Sequence, residues 1–215
     1  MKKKKSSDST WQKVWDFIWN SNSIYSWIVN VILAFVIIKF LIYPGLGMVM
    51  GTSLPIVAVI SSSMEHPLGP DWQLQNALCG TVQCPQMDWY KERGISMAEF
   101  KNFSFSTGFN KGDIMIIIGK KPQNIQIGEV IVFKSGENYP IIHRVIRKFE
   151  VNGEIFFETK GDNNPAQIQD PASEIDEKNV PASSIYGIAV LRIPWIGYVK
   201  ICATDLNSCK NGIFR

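Results

Sequence analysis

Only two histidines, His66 and His143, stand among the 215 residues. That scarcity confines acid–base work near neutral pH to two candidate imidazoles. It also argues against zinc. The four cysteines, Cys79, Cys84, Cys202 and Cys209, are not spaced C-x-x-C, and two histidines are few partners for them. None of these cysteines adjoins a histidine-bearing motif, so a thiol nucleophile is not indicated. No glycine loop able to cradle phosphates is present, and nothing repeats at solenoid spacing. Net charge is scarce as well: the formal balance is +3, and the four lysines Lys2–Lys5 alone exceed it. The body of the chain is close to neutral, which argues against a nucleic-acid surface.

One long apolar run is present, residues 24–43, "IYSWIVNVILAFVIIKFLIY". Twenty residues at about 1.5 Å each span roughly the 30 Å hydrocarbon core of a bilayer. Tyr25, Trp27 and Tyr43 mark its edges, where aromatic belts sit. Asn30 and Lys39 are the misfits, and Lys39 lies near enough to the outer end to snorkel. No small-residue cleavage site follows, so the run is expected to be an uncleaved anchor, ended by the helix stop "YPGLG". Lys2–Lys5 should remain cytoplasmic under the positive-inside rule, which puts everything after about Pro44 outside. In "WQKVWDFIWN", Trp11, Trp15 and Trp19 recur every four residues. The stripe fits an interfacial helix, or an extension of the anchor helix into the headgroups. The expected organisation is a basic segment with its helix at 1–23, an anchor at 24–44 and an outer domain at 45–215.

All four cysteines fall in the outer domain, in a compartment where disulfides persist. Of the three possible pairings, Cys79–Cys84 with Cys202–Cys209 is the simplest, each pair closing a short loop. The domain itself reads as mainly β. "PIVAVI", "GDIMIII", "GEVIVFK", "PIIHRVIRKFEV", "GEIFFETK" and "SIYGIAVLRI" are short runs rich in valine, isoleucine and phenylalanine. Asn152-Gly153 between two of them is a strong hairpin signal. An antiparallel barrel or a folded pair of sheets is expected. Residues 68–109 resist this pattern and read as an insertion. Within it "ISMAEF" looks helical, with Ser96 and Glu99 as a capping box and Ile95 and Phe100 as a staple.

A nucleophile is suggested by "AVISSSMEHP", where a strand runs into three serines. A serine nucleophile needs a base within hydrogen-bond reach. His66 is followed by proline, which disfavours a helical approach to Ser63. His143 lies in a strand whose apolar alternation breaks at His143-Arg144. Downstream, "ETKGDNNPAQIQDP" offers Asp162 and Asp170, either of which could orient a histidine. Each feature also has a plain reading: a satisfied core histidine, and ordinary turn chemistry.

Taken in order, "SSSMEHP", "GDIMIII", "GEVIVFK", "IIHRVI", "KGDNNP" and "YGIAVLRIPWIGY" resemble the successive boxes of type I signal peptidases, over roughly residues 24–200. The likeness is to the archaeal and endoplasmic-reticulum branch, which carries histidine where bacterial members carry a catalytic lysine. The resemblance implies Ser63 as nucleophile and His143 as general base and then general acid. It implies Ser61 beside the Ser63 N–H as oxyanion donor, and Asp162 or, by preference, Asp170 as orienting acid, with Asp176 a distant third. The spacing between the acids is longer than the family pattern. His66 intrudes where the family places proline, putting a second imidazole near the nucleophile. Many relatives end in a second span, which "ICATDLNSCKNGIFR" does not provide.

The implied activity is removal of signal peptides from exported pre-proteins, with small residues at −1 and −3 relative to the cut. The implied partners are the pre-protein, the lipid bilayer and the secretion translocon, in the cell membrane, with no nucleic acid and no metal or organic cofactor. Two rival readings fit the same residues: a tethered, non-catalytic β binding module, and a related Ser/His endopeptidase acting on a non-secretory membrane precursor.

Overall fold

The computed structural model describes residues 9–136 and 139–196. Cys202 and Cys209, with the pairing expected for them, lie outside that range. The chain divides into two compact units, Met1–Val49 and Met50–Arg215.

In the first unit, α1 (Thr10–Trp19) starts at a capping box between Ser9 and Gln12. A separate helix, α2 (Ile24–Ile37), starts at Ser23, whose hydroxyl accepts the Ser26 N–H. The tryptophan stripe is therefore not a continuation of the apolar helix. The last carbonyls of a helix have no partner within it, and here α2 supplies two. Ser26 Oγ donates to Phe17 O at 2.5 Å and Asn30 Nδ2 to Ile18 O at 2.8 Å. Asn30, a misfit in an apolar run, thus holds the end of α1.

The apolar helix does not stop at "YPGLG". It continues through a π-helical turn, Ile38–Ile42, into α3 (Tyr43–Met50). Pro44 has no N–H to give to Phe40 in an α-helical pattern. The wider π turn, in which Tyr43 N–H reaches Ile38 O, lets Pro44 enter the first turn of α3, where its missing donor costs little. Ile24–Met50 forms 27 helical residues, long and apolar enough to cross a membrane.

The second unit is built on strands β1 (Ile56–Ala58), β2 (Asn76–Cys79), β3 (Val82–Pro85), β4 (Ile114–Ile118), β5 (Val130–Phe133), β6 (Ile141–Val151), β7 (Glu154–Lys160), β8 (Gln169–Asp170), β9 (Ile175–Asp176), β10 (Val180–Pro181) and β11 (Ile185–Ile193). Seven of them form one antiparallel sheet in the order β1-β4-β11-β5-β6-β7-β10. All six stretches read as strands from their composition are in it. Asn152 and Gly153 both have positive φ, 53° and 83°, as the turn between β6 and β7 requires. The central strand β5 is buried along its whole length. Val130 and Val132 join one apolar cluster with Val57, Met64 and Met115, while Ile131 and Phe133 join another with Val145 and Phe157. Side chains alternate across a strand, so both faces of the sheet are covered.

The insertion is compact. Its β2–β3 hairpin is closed by the Cys79–Cys84 disulfide, and α4 (Gln86–Lys91) and α5 (Met97–Lys101) follow. Ser96 caps α5 in a full capping box with Glu99. Trp72, Met87, Trp89, Tyr90, Ile95 and Phe100 pack together against Ile146 of β6. The insertion therefore lies against the strand that carries His143.

Candidate active site

β1 ends at Ala58, and the chain turns through Ser61, Ser62 and Ser63 before Met64 plunges into the core at 1% exposure. This turn is held by its carbonyls. Asn163 N–H donates to Ser63 O at 2.8 Å, Asn163 Nδ2 to Ser62 O at 2.9 Å, and Phe109 N–H to Met64 O at 3.0 Å. The loop after β7 thus grips the turn after β1, although about a hundred residues separate them. Gly161 is the point of closest approach. A Cβ there would stand 2.8 Å from Ser63 O and 2.9 Å from His143 Nε2, so a side chain would force the turn and the imidazole apart.

His143 sits on β6, 3% exposed. Its Nε2 is 2.8 Å from Ser63 Oγ and its Nδ1 is 2.5 Å from Glu177 Oε1. Glu177 is fully buried and also accepts from Thr159 Oγ1 at 2.9 Å and from Ile168 N–H at 2.7 Å. Its backbone is pinned too, donating to Ile168 O and accepting from Thr159 N–H. Three donors converge on one carboxylate, so it is suited to accept a hydrogen bond from Nδ1–H of the imidazole and to fix that tautomer. That leaves the Nε2 lone pair facing the serine hydroxyl. Ser61 Oγ lies 3.1 Å from Ser63 Oγ.

The structure thus brings Ser63, Ser61 and His143 together, and puts Glu177 where an aspartate was expected. Asp170, the favoured acid, lies at the end of β8, and its carboxylate accepts from Ser173 Oγ at 2.6 Å and Ala172 N–H at 3.0 Å. Those bonds hold its carboxyl below its ordinary range. Asp176 is exposed and bonded to Asn179, Lys178 and Gln169. Neither is hydrogen-bonded to His143. The loop returns to the sheet at Glu177, whose carbonyl accepts the Thr159 N–H just before β10.

Asp162 has a different environment. It is fully buried and receives Arg144 Nε at 2.8 Å and Arg144 Nη2 at 2.7 Å, a two-pronged ion pair, plus Tyr90 OH at 2.9 Å. His66 Nε2 is 3.1 Å from Oδ2, the oxygen that also receives Arg144 Nη2. Burial alone would raise the pKa of Asp162; the charge and hydrogen bonds of Arg144 overcome that and hold the carboxyl well below the usual range. Arg144 also donates to the carbonyls of Ser104, Phe105 and Gly128. Asp162→Ala leaves a fully buried guanidinium without its counter-charge. A loss of about 3–5 kcal/mol in unfolding free energy is expected, read from denaturant titration of the full chain in detergent. Lys160, also buried, donates to Gln86 Oε1 at 2.7 Å and Gly161 O at 3.0 Å. Burial pushes its pKa down to about 7 despite Asp162 and Glu177 nearby.

Glu177, Thr159 and Asn163 were not singled out from the sequence. Asp176, the last acid the resemblance implies, is one residue short of Glu177. In "IDE" the pattern is half-buried, exposed, buried, so the period-2 signal of a strand would have favoured Glu177 over Asp176. Among the described residues no cluster of three or more His, Cys, Asp or Glu side chains could hold a metal ion.

No protein-family model matches the chain. Individual proteins do. The chain is 27% identical over 176 residues to the signal peptidase complex catalytic subunit SEC11 of Colletotrichum graminicola, covering 81% of this chain and 78% of that protein. It is 28% identical over 194 residues to the signal peptidase complex catalytic subunit SEC11C of Homo sapiens, covering 89% and 78%. A shorter match to SEC11 of Pyricularia oryzae reaches 32% over 104 residues, 47% of this chain and 60% of that one. With the strand order, the apolar N-terminal helix and the serine–histidine pair already in place, the chain is similar over most of its length to catalytic subunits of the signal peptidase complex.

Proposed function

We propose that this chain is a membrane-tethered serine endopeptidase that removes N-terminal signal peptides from exported pre-proteins. The observation that carries the reading is the 2.8 Å approach of His143 Nε2 to Ser63 Oγ. In this scheme Ser63 Oγ attacks the scissile carbonyl and passes its proton to His143 Nε2. Glu177 stabilises the imidazolium and fixes its tautomer. The Ser63 N–H and Ser61 Oγ receive the negative oxygen of the tetrahedral intermediate. His143 then protonates the leaving amine, and water releases the signal peptide by the reverse sequence.

β1 is an edge strand of the sheet and leads directly into the serine turn. An extended substrate can add beside it, main-chain bonds giving affinity and small pockets giving the preference at −1 and −3. The helix Ile24–Met50 anchors the chain in the cell membrane, with Lys2–Lys5 on the cytoplasmic side and the β domain outside. α1, with Trp11, Trp15 and Trp19 all exposed, lies in the headgroup layer. Enzyme and substrate share the bilayer, which raises their effective concentration without any new contact. The relatives are named as subunits of a complex. A secretion translocon that delivers pre-proteins is the partner this reading adds.

The test uses the full chain in detergent and two forms of one pre-protein. With alanine at −1 and −3, a single cut after −1 is expected. With tryptophan at −1, kcat/KM should fall at least about 100-fold if the preference at −1 is for small residues. Equal cleavage of both forms, or cleavage of neither, would overturn the reading.

A further inference from the structure

His66 is the residue by which the serine box departs from its family, standing between Glu65 and Pro67. The reaction scheme leaves this imidazole idle, yet its surroundings are closely built. Its side chain is 2% exposed. The ring stacks on Trp72, centroids 4.2 Å apart and planes 18° from parallel. Gly108 makes the room for it: φ there is +71°, and a Cβ would come within 2.7 Å of His66 Cδ2 and 2.6 Å of Met64 O. The polar capacity of the ring points one way. Nε2 faces Asp162 Oδ2 at 3.1 Å, while Nδ1 is buried without a hydrogen-bond partner among the described residues.

Two lines of contact therefore join the same two elements. Ser63 meets His143 of β6 directly. Three residues later, His66 meets Asp162, which is held by Arg144, the next residue of β6 after His143. We propose that His66 is a positioning residue, whose Nε2–H bond to Asp162 locks the serine turn to the buried Arg144 ion pair and so keeps the Ser63 hydroxyl in line with His143. The Asn163 bonds to Ser62 and Ser63 hold only the backbone of the turn, and they come from a loop. The His66 bond continues into a fully buried ion pair on the strand that carries the base. A hydroxyl must be placed within a few tenths of an ångström for proton transfer, so a second tether here acts on the chemical step rather than on substrate affinity.

The proposal rests on Ser63 and His143 being the reacting pair, and its test is chosen to separate the two ideas. His66→Gln and His66→Met are close in size, but only the glutamine has an amide nitrogen that can donate to Asp162. Two rates are measured in the full chain: kcat and KM for a pre-protein, and the rate at which a small alkyl fluorophosphonate labels Ser63, which needs no signal-peptide recognition. His66→Gln should remain within about 3-fold of wild type. His66→Met should lose about 10-fold in kcat and in labelling rate, with KM unchanged. Equal rates for the two variants, or a loss confined to KM, would overturn the proposal. So would a methionine variant that fails to fold while the glutamine variant folds, since that makes the role structural. A wild-type chain that labels at Ser63 but cuts no pre-protein sinks the signal-peptidase reading and still leaves the comparison decided by the labelling rate.

Discussion

Ser63→Ala is expected to lower cleavage of a pre-protein by about six orders of magnitude, the scale on which removal of a serine nucleophile acts. The substitution deletes the nucleophilic oxygen that lies 2.8 Å from His143 Nε2. Little else changes, because the turn is held through the carbonyls of Ser62, Ser63 and Met64, which alanine retains. The neighbouring hydroxyls provide the contrast. Ser61→Ala removes a donor 3.1 Å from Ser63 Oγ and should cost about 100-fold in kcat, the usual effect of losing one oxyanion donor. Ser62 is exposed and uses only its carbonyl, so Ser62→Ala should stay within a few-fold of wild type. Cleavage is followed by the appearance of mature product, its N-terminus confirming the cut. Retained activity in Ser63→Ala would remove the mechanism altogether, whatever the other two variants did.

The sheet was legible because its strands are short, β-branched and punctuated by glycine, proline and asparagine. Each of those signals is local, and so is the capping box at Ser96. The Cys79–Cys84 pair was legible for the same reason, since the hairpin that brings the sulfurs together is only a few residues long. Three features depended on contacts that no local pattern records. Asn30 looked like a flaw in the anchor until its partner, the Ile18 carbonyl at the end of α1, was in view. "YPGLG" looked like a stop because proline and glycine usually end helices, yet a π turn ahead of Pro44 carries the helix on. The acid was hardest. Asp162 and Asp170 drew attention through their place in a recognisable box, but a carboxylate's partner is set by where the chain closes in space. Asp162 is claimed by Arg144, adjacent to His143 in sequence and directed elsewhere. The proline after His66 argues only against a helical approach to Ser63. The His66 bond to Asp162 crosses 96 residues.

The placement of the acid leads to the second large effect. Glu177→Gln should lower kcat by about 10⁴-fold with little change in KM, as when a histidine is forced into the wrong tautomer. Both carboxylate oxygens of Glu177 act as acceptors: Oε1 toward His143 Nδ1 and Thr159 Oγ1, Oε2 toward Ile168 N–H. A glutamine has one oxygen and one NH₂ group to fill the same two places. With NH₂ at the Oε2 position, two donors face each other at Ile168, a backbone N–H that cannot turn away. The favoured arrangement puts NH₂ at the Oε1 position instead. There it donates to His143 Nδ1, which must then be unprotonated, and the imidazole proton moves to Nε2. That nitrogen now points a proton at the Ser63 hydroxyl and cannot accept one. Asp170→Asn is the matched control. The Asp170 carboxylate bonds to Ala172 N–H and Ser173 Oγ of its own turn, and its variant should keep kcat within about 3-fold of wild type while loosening β8 slightly. Single-turnover kinetics on the full chain in detergent separates kcat from substrate binding. If Asp170→Asn lost activity and Glu177→Gln kept it, the orienting acid would have to be reassigned to Asp170 at the end of β8.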